Sequence, residues 1–224
     1  MNDVPLIEYD AASPHSVGEV IDPWIQSGTN SVTVQAGPQK AGATEPCAQV
    51  AVLAIPEGGD QANAPRVAEK TVASTGGQTR ATLAFVTAKS ACELWAEAKR
   101  FDWNAEGQRE LTELAQKAHR LFSQKQIAPL AELTDYRARD TARCLGRTPE
   151  SGVADQRSFF AAITGAPDFS AIPWSDAGLV LEVVGNGRLV WMHRNDGKLL
   201  LQNGAGGGMD LYAARIQGSW RIVR

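Results

Sequence analysis

The stretch LVLEVVGNGRLVWMHRNDGKLLLQNGAGGGMDLYAARIQGSWRIV, residues 179–223, decides the fold. It breaks into apolar runs at 179–184, 188–194, 198–202, 209–216 and 219–223, separated by Gly185-Asn186-Gly187, Asn195-Asp196-Gly197, Asn203-Gly204 and Gln217-Gly218. Asn-Gly and Asp-Gly pairs favour hairpins because both residues accept positive φ at small cost. Five strands joined this tightly predict an antiparallel meander closed by a short last strand. Alternation puts Leu189, Trp191 and His193 on one face of their strand, and Asp210, Tyr212 and Ala214 on one face of theirs. The glycine-rich run 204–208 lies between two strands and lacks the Lys-Ser/Thr of a phosphate loop, so it reads as a flexible hairpin or bulge.

Upstream the apolar period changes to that of helices. Ser90 can cap a helix through Phe101 with Cys92, Trp95 and Lys99 near one face. Asn104 can cap a second, running to Gln126, whose Leu111, Leu114, Ala118, Leu121 and Phe122 form an amphipathic stripe. Pro129 suits the first turn of a third, which continues to Leu145 and stops at Gly146. A shorter helical piece, 154–163, carries Phe159 and Phe160. Before residue 89 the pattern is short strands and turns. Val32 and Val34 share a face, QVAVLAI (49–55) reads as a fully buried strand, and 78–87 alternates again. Stretches 38–46 and 57–65 read as loops. The fold class predicted is α+β: an N-terminal antiparallel β-sandwich over residues 1–88, then a helices-then-meander domain over 89–224.

Helices followed by a meander ending in DLYAARIQGSWRIV (210–223) resembles the NTF2-like, cone-shaped α+β superfamily over roughly residues 105–224. Residues 20–34, a Trp-containing turn before a Val-Thr-Val strand, resemble accessory sandwiches that precede other domains in bacterial proteins. The NTF2-like resemblance implies a sheet that wraps the helices and leaves a pocket. Enzymes of that superfamily use a carboxylate, His or Tyr inside the cone for proton transfer, and here the candidates are His193, Asp210 and Tyr212, with Arg215 beside them. The superfamily also recurs among bacterial immunity proteins that neutralise toxins.

Composition bounds the rest. Apolar residues make up 43% and charged residues 21% of the 224, which suits a soluble globular chain rather than a disordered one. A net charge of −3 argues against general nucleic-acid binding, which needs a basic surface. That sum hides an asymmetry: residues 1–88 hold nine acids and four bases, residues 89–224 sixteen acids and eighteen bases. No apolar run is long enough to span a membrane. Met1-Asn2-Asp3-Val4-Pro5 lacks the regions of a signal peptide, so the cytoplasm is the default and the periplasm the alternative for a trimmed N-terminus. Cys47, Cys92 and Cys144 show no metal-ligand spacing and read as buried, idle thiols, with one disulfide plus a free thiol as the other reading. His15 and His119 have no ligand partner at metal spacing, there is no Gly-x-Ser-x-Gly elbow, and no cofactor motif is present.

The remaining feature is basic. Arg139, Arg143 and Arg147 recur at i, i+4 and i+8 of the third helix, with Arg137 nearby. They read either as a salt-bridged face with Asp135 and Asp140, or as a ridge for an acidic-surfaced protein partner. The function expected is therefore non-enzymatic binding of another protein, of which a toxin-neutralising immunity protein is the concrete version. The alternative is an isomerase or dehydratase acting in the cone pocket.

Overall fold

Strands form where the sequence alternates and helices where its apolar period lengthens. The computed structural model describes residues 1–6, 18–36, 47–55, 59–73, 79–88, 92–167 and 169–224. His15, Ser90 and the stretch 38–46 lie outside the described residues. The fold is α+β, with every strand pairing antiparallel. The chain divides into two compact units, Met1–Glu19 with Trp24–Lys89, and Val20–Pro23 with Ser90–Arg224.

In the first unit, β1 (Gly28–Ala36) pairs with β4 (Thr79–Thr87), and β2 (Cys47–Leu53) with β3 (Arg66–Ala73). Leu83 and Phe85 are buried on β4, opposite Val32 and Asn30. Asn30 is fully buried and organises this end of the ladder. Its Oδ1 accepts from Gln26 N (2.9 Å) and Asn2 Nδ2 (2.8 Å), and its Nδ2 donates to the Gln26 and Gly28 carbonyls and Thr87 Oγ1. Asn2 in turn exchanges two hydrogen bonds with the Ser31 backbone, tying the first residues to β1. The 49–55 run departs from the fully buried strand read from it: Val52 is buried, but Ala51, Ala54 and Ile55 are exposed. A two-stranded ladder has one face to bury, so the other stays out whatever its residues.

The second unit opens with α1 (Leu94–Glu97), far shorter than the helix expected through Phe101. Next comes α2 (Ala105–Ser123), capped by Asn104 through a 2.8 Å bond from Gly107 N, with Leu111, Ala115, Ala118 and Phe122 buried along one stripe. The long third helix is two helices, α3 (Ile127–Leu133) and α4 (Asp135–Cys144). They break at Thr134, whose hydroxyl bonds back to the Leu130 carbonyl (2.8 Å) while the amide of Gln156, from α5 (Pro149–Thr164), donates to the Thr134 carbonyl (3.0 Å). Pro129 sits at the third position of α3, in its first turn as expected, but the helix it begins is short. Thr148 caps α5 by accepting from Ser151 N. Gly152 lets α5 lie against α4, since a Cβ there would come within 2.2 Å of the Ala138 carbonyl oxygen.

The meander forms as one four-stranded sheet, β10-β9-β6-β5, from β5 (Leu179–Val184), β6 (Leu189–Arg194), β9 (Leu211–Ile216) and β10 (Ser219–Ile222). The expected strand 198–202 shortens to β7 (Leu201–Gln202), and 209–216 splits at Asp210, its start pairing with β7 as β8 (Gly208–Met209) and the rest forming β9. The glycine-rich run is its turn, held by Asn203 Oδ1, which accepts from Ala205 N and Gly207 N. Val190, Met192, Leu211, Ala213 and Ile222 face the helices and form one apolar core with α2, α3 and Phe160.

Candidate functional site

Asp140 is the centre of the second unit's buried polar structure. Its Oδ1 accepts from Glu93 N (2.6 Å) and Leu94 N (3.3 Å), so a side chain of α4 caps α1. Its Oδ2 pairs with Arg224 Nη2 at 2.7 Å, both groups almost fully buried. Arg224 also donates to the Pro23 carbonyl through Nε (3.1 Å) and Nη2 (2.7 Å). Next to this pair Cys92 and Cys144 form a disulfide, so the reading of three idle thiols is corrected. Both cysteines sit where Asp140 already brings the start of α1 to the end of α4. Cys92, Cys144 and Asp140 form the metal-like cluster among the described residues, but sulfurs bonded to one another offer no thiolate, and the carboxylate is spent on a guanidinium and two amides. It is a structural junction.

The three candidates of the enzymatic alternative, His193, Asp210 and Tyr212, gather around Trp191. His193 stacks on the indole (3.7 Å between ring centres), Tyr212 lies parallel to it at 6.0 Å, and Asp210 Oδ2 accepts from Trp191 Nε1 at 3.3 Å. His193 Nδ1 contacts the Arg194 carbonyl (3.3 Å), and its buried Nε2 lies 3.7 Å from Glu182. By strand register Glu182, Trp191, His193 and Tyr212 share one sheet face, the one turned away from the core formed with α2 and α3. The other oxygen of Asp210 accepts from Leu200 N at 2.9 Å. Asp210 thus fixes the point where the chain leaves β8 and enters β9. Burial pushes its carboxyl, and the Tyr212 phenol, above their usual values. Arg215 is exposed, 5.9 Å from the Trp220 ring. His119 is buried with Nε2 donating to the Ile172 carbonyl (2.7 Å), a tautomer that suits a core histidine.

The arginines divide differently from their spacing. Arg139 bonds Asp135 (2.8 Å) and Glu150 (3.1 Å), Arg143 bonds Glu93 (2.7 Å), and Arg147 bonds Asp155 (2.5 Å). Arg147 is not on the helix at all. α4 ends at Cys144, Gly146 turns the chain at φ +70°, and Arg147 precedes α5. Arg137 is the exception: Nη1 donates to Gln156 Oε1 (2.7 Å), and among the described residues no carboxylate pairs with it. It lines a cleft of about 180 Å³ between α4 and α5, together with Thr141, Leu145, Arg147, Asp155 and Phe159. Burial, helped by the nearby charge of Arg224, lowers its guanidinium to about 10. A broader depression of about 470 Å³ runs along α2, but one helix face alone lines it, from Ala105 to Gln116, so it encloses nothing.

No protein family, curated protein or solved structure matches this chain. The site must therefore be judged on its own chemistry. Sequence reasoning had Arg137 only as a neighbour of the ridge. The missing signal was three-dimensional, because the carboxylates that occupy Arg143 and Arg147 lie 50 and 8 residues away.

Proposed function

We propose that this chain is a non-enzymatic interaction protein that recognises another protein through the helical side of its second unit. One observation carries the reading. The space between sheet and helices, where an NTF2-like enzyme would hold its substrate, is filled by Met192, Val190, Leu211, Phe122 and Phe160, while His193, Asp210 and Tyr212 lie on the opposite face. Asp210 has both oxygens engaged in holding backbone and indole, which suits a structural carboxylate better than a general base. The helical side, in contrast, offers a charged cleft flanked by exposed apolar side chains, the composition of an interaction surface. Neutralisation of a toxin is the concrete version that the NTF2-like resemblance suggests. The Cys92–Cys144 disulfide favours an oxidising compartment such as the periplasm over the cytoplasm.

The test is reconstitution. Proteins captured from a host extract by the oxidised chain are purified singly and titrated against it by calorimetry. Saturable one-to-one binding at about 1 μM or tighter, about −8 kcal/mol, supports the reading. If no captured protein rebinds, and the chain turns over a small carbonyl compound in a way that His193→Ala or Asp210→Asn abolishes, the reading falls.

A further inference from the structure

The α4–α5 cleft holds more positive charge than its own residues neutralise. Arg147 is matched by Asp155, and Arg224 is matched by Asp140. Arg137 is matched by none of the described residues, and its one polar partner, Gln156, is neutral. A half-buried guanidinium without a counter-charge is costly, because water that would have solvated it is displaced and nothing of opposite sign replaces it. Gln156 takes a single N–H of the five that a guanidinium offers. The others suit the two oxygens of a carboxylate, which a planar guanidinium binds in pairs. Even lowered to about 10, the group stays protonated at neutral pH.

Size narrows the occupant. At about 30 Å³ per water, the 180 Å³ of the cleft equals roughly six waters, well below the several hundred Å³ of a metabolite pocket. One side chain fits. Two apolar side chains border it beside the Arg147–Asp155 pair: Leu145, 40% exposed just after α4, and Phe159, 39% exposed on α5. Leu145 and Phe159 are large hydrophobic side chains left in water beside a charge left without a partner, and both are relieved by the same event.

We propose that this cleft receives one acidic side chain of a protein partner, its carboxylate held by Arg137 and an adjacent apolar residue covered by Leu145 and Phe159. The proposal rests on the interaction reading above and names the chemistry of what is recognised. Gly152 shapes the site, since any side chain there would drive α5 off α4. Arg139 and Arg143, already paired with carboxylates and absent from the cleft lining, take no part.

The probes are the blocked peptides acetyl-Leu-Glu-Leu-amide and acetyl-Leu-Gln-Leu-amide, titrated into the full, oxidised, nitrogen-15-labelled chain while the arginine Nε–H signals are followed by NMR. The glutamate peptide is expected to shift the Arg137 signal to saturation, with the glutamine peptide weaker by about tenfold or more, since it offers no charge. Arg137→Gln should remove saturation, Phe159→Ser should weaken it severalfold, and Arg139→Glu with Arg143→Glu should leave it unchanged. An equal response to both peptides, no saturable shift, or a shift that survives Arg137→Gln overturns the proposal. If Arg137→Gln disturbs the fold, the paired-peptide comparison and Phe159→Ser decide. The two readings fail separately: a reconstituted partner that binds Arg137→Gln as well as the wild type sinks the cleft alone, whereas no reconstituted partner together with a turnover that His193→Ala or Asp210→Asn abolishes sinks the interaction reading.

Discussion

Breaking the Cys92–Cys144 disulfide should cost the second unit a large part of its stability. The bond joins positions 52 residues apart, and closing a loop of that length removes unfolded-state entropy worth about 4 kcal/mol. For a chain of 150–250 residues each kcal/mol moves the midpoint by about 2–4 °C, so a fall of roughly 8–16 °C is expected. The double variant Cys92→Ala with Cys144→Ala and wild-type protein melted in reductant should agree, because both lose the same constraint. The junction adds a second consequence. Asp140 caps α1 immediately after Cys92 and holds Arg224 beside Cys144, so disulfide and ion pair fix the same place. Asp140→Asn should therefore cost a different amount in the reduced protein than in the oxidised one, a coupling that independent sites do not show. The assay is thermal unfolding by near-ultraviolet circular dichroism, with thiols counted in the denatured, unreduced protein. Of the three cysteines, only Cys47 should react. Three reactive thiols after folding under oxidising conditions, or a midpoint that reductant does not move, would refute the reasoning.

Two other outcomes follow from buried contacts. Asn30→Ala should destabilise the first unit by about 2–4 kcal/mol in urea unfolding, because it strands several backbone and side-chain partners at once; a loss under about 1 kcal/mol would mean that water replaces the network freely. Trp220 packs edge-on to Phe101 (4.9 Å) and donates to Glu110 (3.0 Å) but is only half-buried, so Trp220→Ala should cost about 2–3 kcal/mol, below the range for a fully buried indole. An effect below about 1 kcal/mol would show that β10 is held without it.

The features legible in the sequence were those set by neighbours in the chain. Asn186 and Gly187 turn between β5 and β6 with positive φ, as the Gly-Asn-Gly run requires, and Asn104 caps α2 where an Asn before an amphipathic stripe should. Strand faces followed from alternation, including the shared face of Trp191 and His193. Several of the misreadings were made by distant residues. At Thr134 a local and a distant contact combine: its hydroxyl bonds back to the Leu130 carbonyl, and the side chain of Gln156, 22 positions on, also donates to its carbonyl. Nothing local splits 209–216; Asp210 does so by reaching Leu200 and Trp191. The disulfide was open for the same reason, since spacing alone cannot say which cysteines meet.

The arginines carry the same lesson into function. Periodicity says which side chains share a helix face, and on that ground Arg139, Arg143 and Arg147 look like a ridge. Charge balance is decided by whatever packs nearby, and here Glu93, Glu150 and Asp155 come from other elements to neutralise them. A surface that answers its own charges has little left to offer a partner, because each new contact must first displace an existing one. Arg137, two residues before Arg139 on α4, lies about 200° round the helix from it, on the opposite face. It points into the contact of α4 with α5, where its neighbour is an amide rather than an acid. On the proposed interaction reading a partner would engage the arginine that the fold leaves unanswered, and substituting the visible ridge should change far less than substituting Arg137.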